Sequence, residues 1–153
     1  MTATWHQKNM RVQYKDTDQM GVVHHANYIT WFEVGRTEMM RDFDISYRQM
    51  EEMGLLLPVL DVQLSYRKPA RFDDCIAIFT KLDSFSPVRL EFHYEVRRIG
   101  EEGFKTDTAV VGEPTGELLT KGVSKHMWVS SDWKPARLNK VAPEIYQKLE
   151  KLV

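Results

Sequence analysis

At 153 residues, 42% hydrophobic and 28% charged, the chain is long enough for one domain with its own core. A formal net charge of −1 lacks the basic excess of a nucleic-acid binder. The single cysteine, Cys75, excludes an intrachain disulfide and a thiolate metal cluster, and it points to a reducing compartment. The N-terminal MTATWHQKNMRVQYKD has no apolar signal core. The apolar run from Leu55 to Leu60 is broken by Pro58 and is too short to span a bilayer, so a soluble, cytoplasmic protein without membrane insertion is expected.

Met10, Val12 and Tyr14 alternate with Arg11 and Gln13, which predicts a short first strand. It leads into an acidic loop, YKDTDQMG, where Asp16 and Asp18 precede a turn that Gly21 makes accessible. Tyr28, Trp31, Phe32, Gly35, Met39 and Phe43 then recur at three and four residues, predicting a proline-free helix over 25–43. At ~1.5 Å per residue it is roughly 28 Å long. Its start is poorly capped: Val22, Val23, His24 and His25 precede it, and Asn27 is the one strong capping side chain nearby. First-turn N–H groups without a local partner are free to face a ligand oxygen. Glu33 and Arg36, three residues apart on this helix, read as an exposed ion pair.

A second helical piece over 46–53 starts at a Ser46 cap and stops at Gly54. Leu60, Val62, Leu64 and Tyr66 then alternate with polar residues, as in a strand with one buried face that ends at Pro69. Ile76, Ile78, Thr80 and Leu82 form the next strand, closed by a turn over 84–87. Val88, Leu90, Phe92, Tyr94 and Val96 give the strongest alternation in the chain. The segment 100–116 reads as a long connection with a short extended piece at 108–111. Val123, Lys125, Met127 and Val129 alternate with Gly122, Ser124, His126 and Trp128 in a last strand, and Pro143 opens a closing helix. One early long helix followed by strands joined by short turns implies a single α+β domain over 1–153, with an antiparallel sheet packed on that helix.

Several residues carry candidate chemistry. Asp18 is either a turn-capping aspartate or a reactive carboxylate, and spacing alone leaves both open. Asp16 reads as a brace for the loop. His25 offers a ring titrating near neutrality or a backbone N–H alone, while His24 reads as packing or surface. Asp16, Asp18, His24 and His25 are all divalent-ligand types. They lack the helical i, i+4 histidine pair of zinc sites, so no metal is expected. Arg67, Lys68 and Arg71 form the best basic cluster, with Lys121 and Lys125 a second. Met39, Met40, Met50 and Met53 read as core filler.

The segment YKDTDQMGVVHHANYITWFEVGRTEM, from Tyr14 to Met39, with YRKPARFDD from Tyr66 to Asp74, resembles the hot-dog-fold acyl-CoA thioesterases. The branch in question holds 4-hydroxybenzoyl-CoA thioesterase and the YbgC-type enzymes. The resemblance implies a curved sheet wrapped around the long helix. It also implies sites at the interface of a homodimer, paired further into a homotetramer. By the same resemblance Asp18 is the catalytic carboxylate, and His25 supplies the carbonyl-polarising N–H. Val23, His24 and Tyr28 would line the acyl-CoA site, Arg67, Lys68 and Arg71 would meet CoA, and no cofactor is required. Two rivals use the same residues. An enoyl-thioester hydratase or dehydratase of this fold pairs Asp with His, but it sets them around an Asn-Pro element that this chain lacks. A non-catalytic acyl-CoA-binding module has no evident need for an unpaired carboxylate at the carbonyl.

Overall fold

In the computed structural model, which describes residues 4–153, the early elements are β1 (Trp5–Arg11), α1 (Asn27–Asp42) and α2 (Tyr47–Glu52). The strands that follow are β2 (Leu55–Leu56), β3 (Val59–Tyr66), β4 (Cys75–Phe85), β5 (Arg89–Arg98), β6 (Thr108–Val111), β7 (Glu117–Met127) and β8 (Val129–Ser130). Two short helices, α3 (Leu138–Val141) and α4 (Pro143–Glu150), close the chain. Six strands form one antiparallel sheet in the order β3-β7-β5-β4-β1-β6, and β2 pairs with β8 in a separate ribbon. The α+β expectation holds: α1 lies across the sheet and meets chiefly β4, β1 and β5.

Tyr28, Trp31, Phe32, Met39 and Met40 of α1 are buried against Ile76 and Ile78 of β4, Phe92 and Tyr94 of β5 and Leu119 of β7. Each large side chain so buried contributes about 1.5–3 kcal/mol relative to exposure. The helix approaches the sheet closely at two glycines. A Cβ on Gly35 would lie 2.5 Å from Thr80 Oγ1 and 2.7 Å from Ile78 Cγ2. One on Gly122 of β7 would lie 2.2 Å from the Phe32 ring. That ring has nowhere to retreat, because it is buried and stacked on Tyr94 at 4.3 Å.

The structure departs from the sequence reading in several places. The first strand is Trp5–Arg11 and ends before Tyr14, which enters a 3-10 turn at Tyr14–Asp16. The long helix begins at Asn27 rather than His25. Strand β3 has no buried face: Leu60 and Tyr66 are 47% and 50% exposed, and only Val62 and Leu64 are half-buried, because β3 is the sheet's outermost strand. On β7 the row turned inward is the polar one, with Gly122, Ser124 and His126 buried and Lys125 exposed. Ser124 bridges Tyr94 Oη at 2.6 Å and His126 Nε2 at 2.7 Å, so that row is tied by hydrogen bonds instead of packing alone. The connection over 100–116 is anchored, since β6 pairs with β1. Glu33 and Arg36 do not pair, whereas Glu38 pairs with Arg41. Met39, Met40 and Met50 are core residues, but Met53 is 50% exposed.

Two measurements check this packing. Gly122→Ala overpacks the Phe32–Tyr94 stack and costs about 1–3 kcal/mol, read in thermal denaturation as a Tm loss of about 2–4 °C for each kcal/mol. The His126 imidazole is pushed from 6.5 down to about 4, first by burial and then by the nearby charge of Arg36. The unfolded chain therefore takes up a proton that the folded chain refuses. Stability falls as pH drops from about 6.5 toward 4, and His126→Gln flattens that part of a urea-denaturation profile.

Candidate active site

The loop between β1 and α1 is fixed by its own backbone. Asp18 N–H donates to Val22 O and Gly21 N–H to Asp18 O, both at 2.9 Å, with Gly21 at φ 78°. Asp16 braces it as the sequence predicts: its carboxylate accepts the Gln13 N–H at 2.9 Å, and its carbonyl accepts the His24 N–H and the Asn27 side-chain amide. A second tether joins this loop to the connection between β3 and β4, where Val23 N–H donates to Ala70 O at 2.8 Å and Tyr28 Oη accepts the Ala70 N–H at 3.2 Å.

These tethers leave the start of α1 bare. The N-cap residue is Ala26, no side chain caps the helix, and no acidic residue lies in its first turn. Asn27, the expected cap, sits inside the helix and spends its amide on Asp16 O. Among the described residues, the N–H groups of His25 and Ala26 meet no acceptor, although those of His24 and Asn27 on either side do. The helix macrodipole places about half a positive charge at this end. An oxygen that acquires negative charge here would be stabilised by both effects.

Asp18 faces this helix start across a cleft of about 270 Å³ lined by Asp18, Val23, His25, Tyr28, Tyr66 and Lys68, among others. One Asp18 oxygen accepts the Met20 N–H at 2.9 Å, and the other lies 3.7 Å from His24 Nδ1. The His24 and His25 rings stand 4.4 Å apart, tilted rather than divergent. Tyr66 donates its O–H to the His25 carbonyl at 2.9 Å, holding the peptide that precedes the helix. Burial raises the hydroxyl pKa of both Tyr28 and Tyr66, for Tyr28 against the lowering effect of its Ala70 hydrogen bond, so both stay protonated at neutral pH.

The sequence-derived candidates divide accordingly. Asp18, Val23, His25, Tyr28, Arg67 and Lys68 converge on the cleft. His24 stands beside it, exposed and turned to Asp18. Arg71 is exposed and outside the cleft, with its backbone tied to Asp74. Lys68 is partly committed to Glu117, at 2.9 Å. Lys125 belongs to the outer face, near Glu91. Asp16, Asp18, His24 and His25 do not gather into a three-ligand cluster; among the described residues, the group with that spacing is Asp83, Glu91 and His93, flanked by Lys81 and Lys125. Sequence reasoning missed Tyr66 as a site residue and took it for a strand position. Its place at the head of YRKPARFDD was the available signal.

Comparison with known proteins identifies the family of the chain. A family model of the thioesterase-like superfamily matches residues 12–149. A putative acyl-CoA thioesterase, YneP, of Bacillus subtilis is 33% identical over 145 residues, covering 94% of each chain. The acyl-CoA thioester hydrolase YbgC of Escherichia coli is 36% identical over 92 residues, 60% of this chain and 69% of that protein. The crystal structure of a DHNA-CoA thioesterase from Staphylococcus aureus superimposes with a TM-score of 0.83 at 29% identity, over 97% of this chain and 90% of that one. The chain belongs to the thioesterase-like superfamily, has its hot-dog fold, and is a hydrolase of the thioester-cleaving class.

Proposed function

We propose that the chain hydrolyses an acyl-CoA thioester to a free acid and CoA at the cleft between Asp18 and the start of α1. The observation that carries this reading is the pairing of an oriented carboxylate with an uncapped helix start whose His25 and Ala26 N–H groups lack acceptors. With the thioester carbonyl oxygen on those N–H groups, negative charge built up during attack meets donors that need no rearrangement. Asp18 supplies the attacking side, either as a nucleophile that forms an anhydride or as a base that deprotonates water. In either route the CoA thiolate leaves and one water is consumed, by attacking the thioester carbonyl or by opening the anhydride to release the acid and restore Asp18. Val23, Tyr28 and Met20 offer the acyl group an apolar wall, and Arg67 and Lys68 offer cations to the CoA phosphates. His24, 3.7 Å from Asp18, gives the site the Asp-His pair a hydratase would use, but the named relatives are thioesterases.

The same reading includes a homodimer formed along β3, with two dimers joining as a tetramer. Among the described residues strand β3 has a neighbour, β7, on one side and none on the other, and it exposes Val59, Leu60 and Tyr66. An open, partly apolar edge is a template for strand addition. A second copy presenting the same strand would extend the sheet and cover these side chains.

Free-thiol release from short, long and aromatic acyl-CoAs tests the reaction. Asp18→Asn is expected to lower kcat about 10²- to 10⁴-fold, while His25→Ala, which keeps the backbone N–H, stays within about tenfold of the native rate. Native-like turnover by Asp18→Asn contradicts the mechanism. Single turnover in ¹⁸O-water tests the nucleophilic role: label in the Asp18 carboxylate requires an anhydride that water opens at the Asp18 carbon, which the base role never forms. Sedimentation equilibrium tests the assembly: the native chain is expected as a dimer or a dimer of dimers, and Leu60→Asp as a monomer. A native monomer contradicts edge pairing.

A further inference from the structure

A second cavity, of about 150 Å³, lies between α1, α2 and the β2–β8 ribbon and shares no lining residue with the cleft at Asp18. Arg36 lies nine residues beyond Asn27, the first residue of α1, hence about 13 Å along the helix axis. The hydrogen-bond donors that line this space include Arg36, Tyr47 and Trp128. Trp128 is fully buried and its Nε1–H has no acceptor among the described residues. The Tyr47 hydroxyl is likewise buried without a partner. Arg36 forms no ion pair among the described residues, although Glu38 and Arg41 on the same helix pair with each other, as do Arg48 and Glu52 on α2. Its guanidinium sits beside Tyr47 and Tyr94.

Buried donors in native proteins find acceptors as a rule, so the unpartnered Tyr47 O–H and Trp128 N–H beside the half-buried Arg36 imply that an acceptor enters from outside. Geometry defines it: the planar guanidinium fork fits a carboxylate. Glu33 and Glu51, exposed and also lining the cavity, already offset the Arg36 charge and so disfavour a dianion such as phosphate. Met50 and Leu55–Leu57 complete an apolar wall suited to a short carbon chain.

We infer that this cavity binds a small, singly charged carboxylate, held by the Arg36 guanidinium, the Tyr47 O–H and the Trp128 indole N–H. The inference is independent of the reaction proposed for Asp18. The chain has four tryptophans, so its indole ¹H–¹⁵N spectrum is simple, and Trp128→Phe identifies the Trp128 signal. Titration with sodium acetate, against sodium chloride and phosphate at matched ionic strength, is expected to move that signal saturably with acetate and at least tenfold more weakly with phosphate. Tyr47→Phe, which keeps the ring, is expected to weaken acetate binding about tenfold, and Arg36→Met to abolish it. Asp18→Asn leaves the titration unchanged. A Trp128 signal that stays still, or one that moves equally with chloride, overturns the site and leaves it holding water only. Phosphate binding as tight as acetate overturns its assignment to a monocarboxylate. Native affinity in a folded Tyr47→Phe chain removes the hydroxyl from the site and overturns the three-donor arrangement.

Discussion

The distance between α1 and the sheet governs the rest of the molecule. It is short because two side chains are missing: Gly35 lets the helix settle onto Ile78 and Thr80, and Gly122 lets the Phe32 ring lie against β7. Protein interiors are packed near crystal density, so an added methyl at either point has to displace something already held. Phe32 is stacked on Tyr94, whose hydroxyl is tied through Ser124 to His126. A helix fixed so closely along its middle has little freedom at its end. The position of its first turn is therefore a consequence of packing well inside the core, and the candidate active site inherits that rigidity.

What packing fixes, the loops orient. Val23 and Tyr28 both engage the Ala70 peptide, and Tyr66 holds the His25 carbonyl, so the connection after β3 and the start of α1 move as one piece. The result is unusual for a helix end. Asn27, which elsewhere would cap, instead donates to Asp16 O, and no acid neutralises the first turn. His25 and Ala26 are exposed, so their N–H groups stay open to solvent and to a ligand. They become useful where a developing oxyanion supplies the missing acceptor.

Much of this was legible in the sequence. The three-and-four spacing of Tyr28, Trp31, Phe32, Gly35 and Met39 located α1, the weak capping ahead of Asn27 flagged its start, and the alternation from Leu90 to Val96 placed β5. The failures have physical causes. Alternation in β3 was read as one buried face, but a strand at a sheet edge can alternate and still lie in solvent. On β7 the alternation did not say which row turns inward, because Ser124 and His126 are buried through hydrogen bonds that only the fold brings together. Tyr66 and Ala70 reach the site from more than 40 residues away in the case of Tyr66 and His25, a separation that local pattern does not encode. Arg71 fell outside the cleft since a basic cluster in sequence diverges in space once the chain turns after Pro69.

The central claim is that an unpartnered backbone N–H at the head of α1 stabilises the charge that develops when a thioester is cleaved. Replacing the His25 peptide by an ester, through semisynthesis with the corresponding hydroxy acid, removes that one N–H and leaves the ring and the fold in place. The account predicts a fall in kcat for acyl-CoA hydrolysis of about 10²- to 10³-fold, the usual loss for one oxyanion donor. A folded ester variant that turns over at the native rate would contradict it.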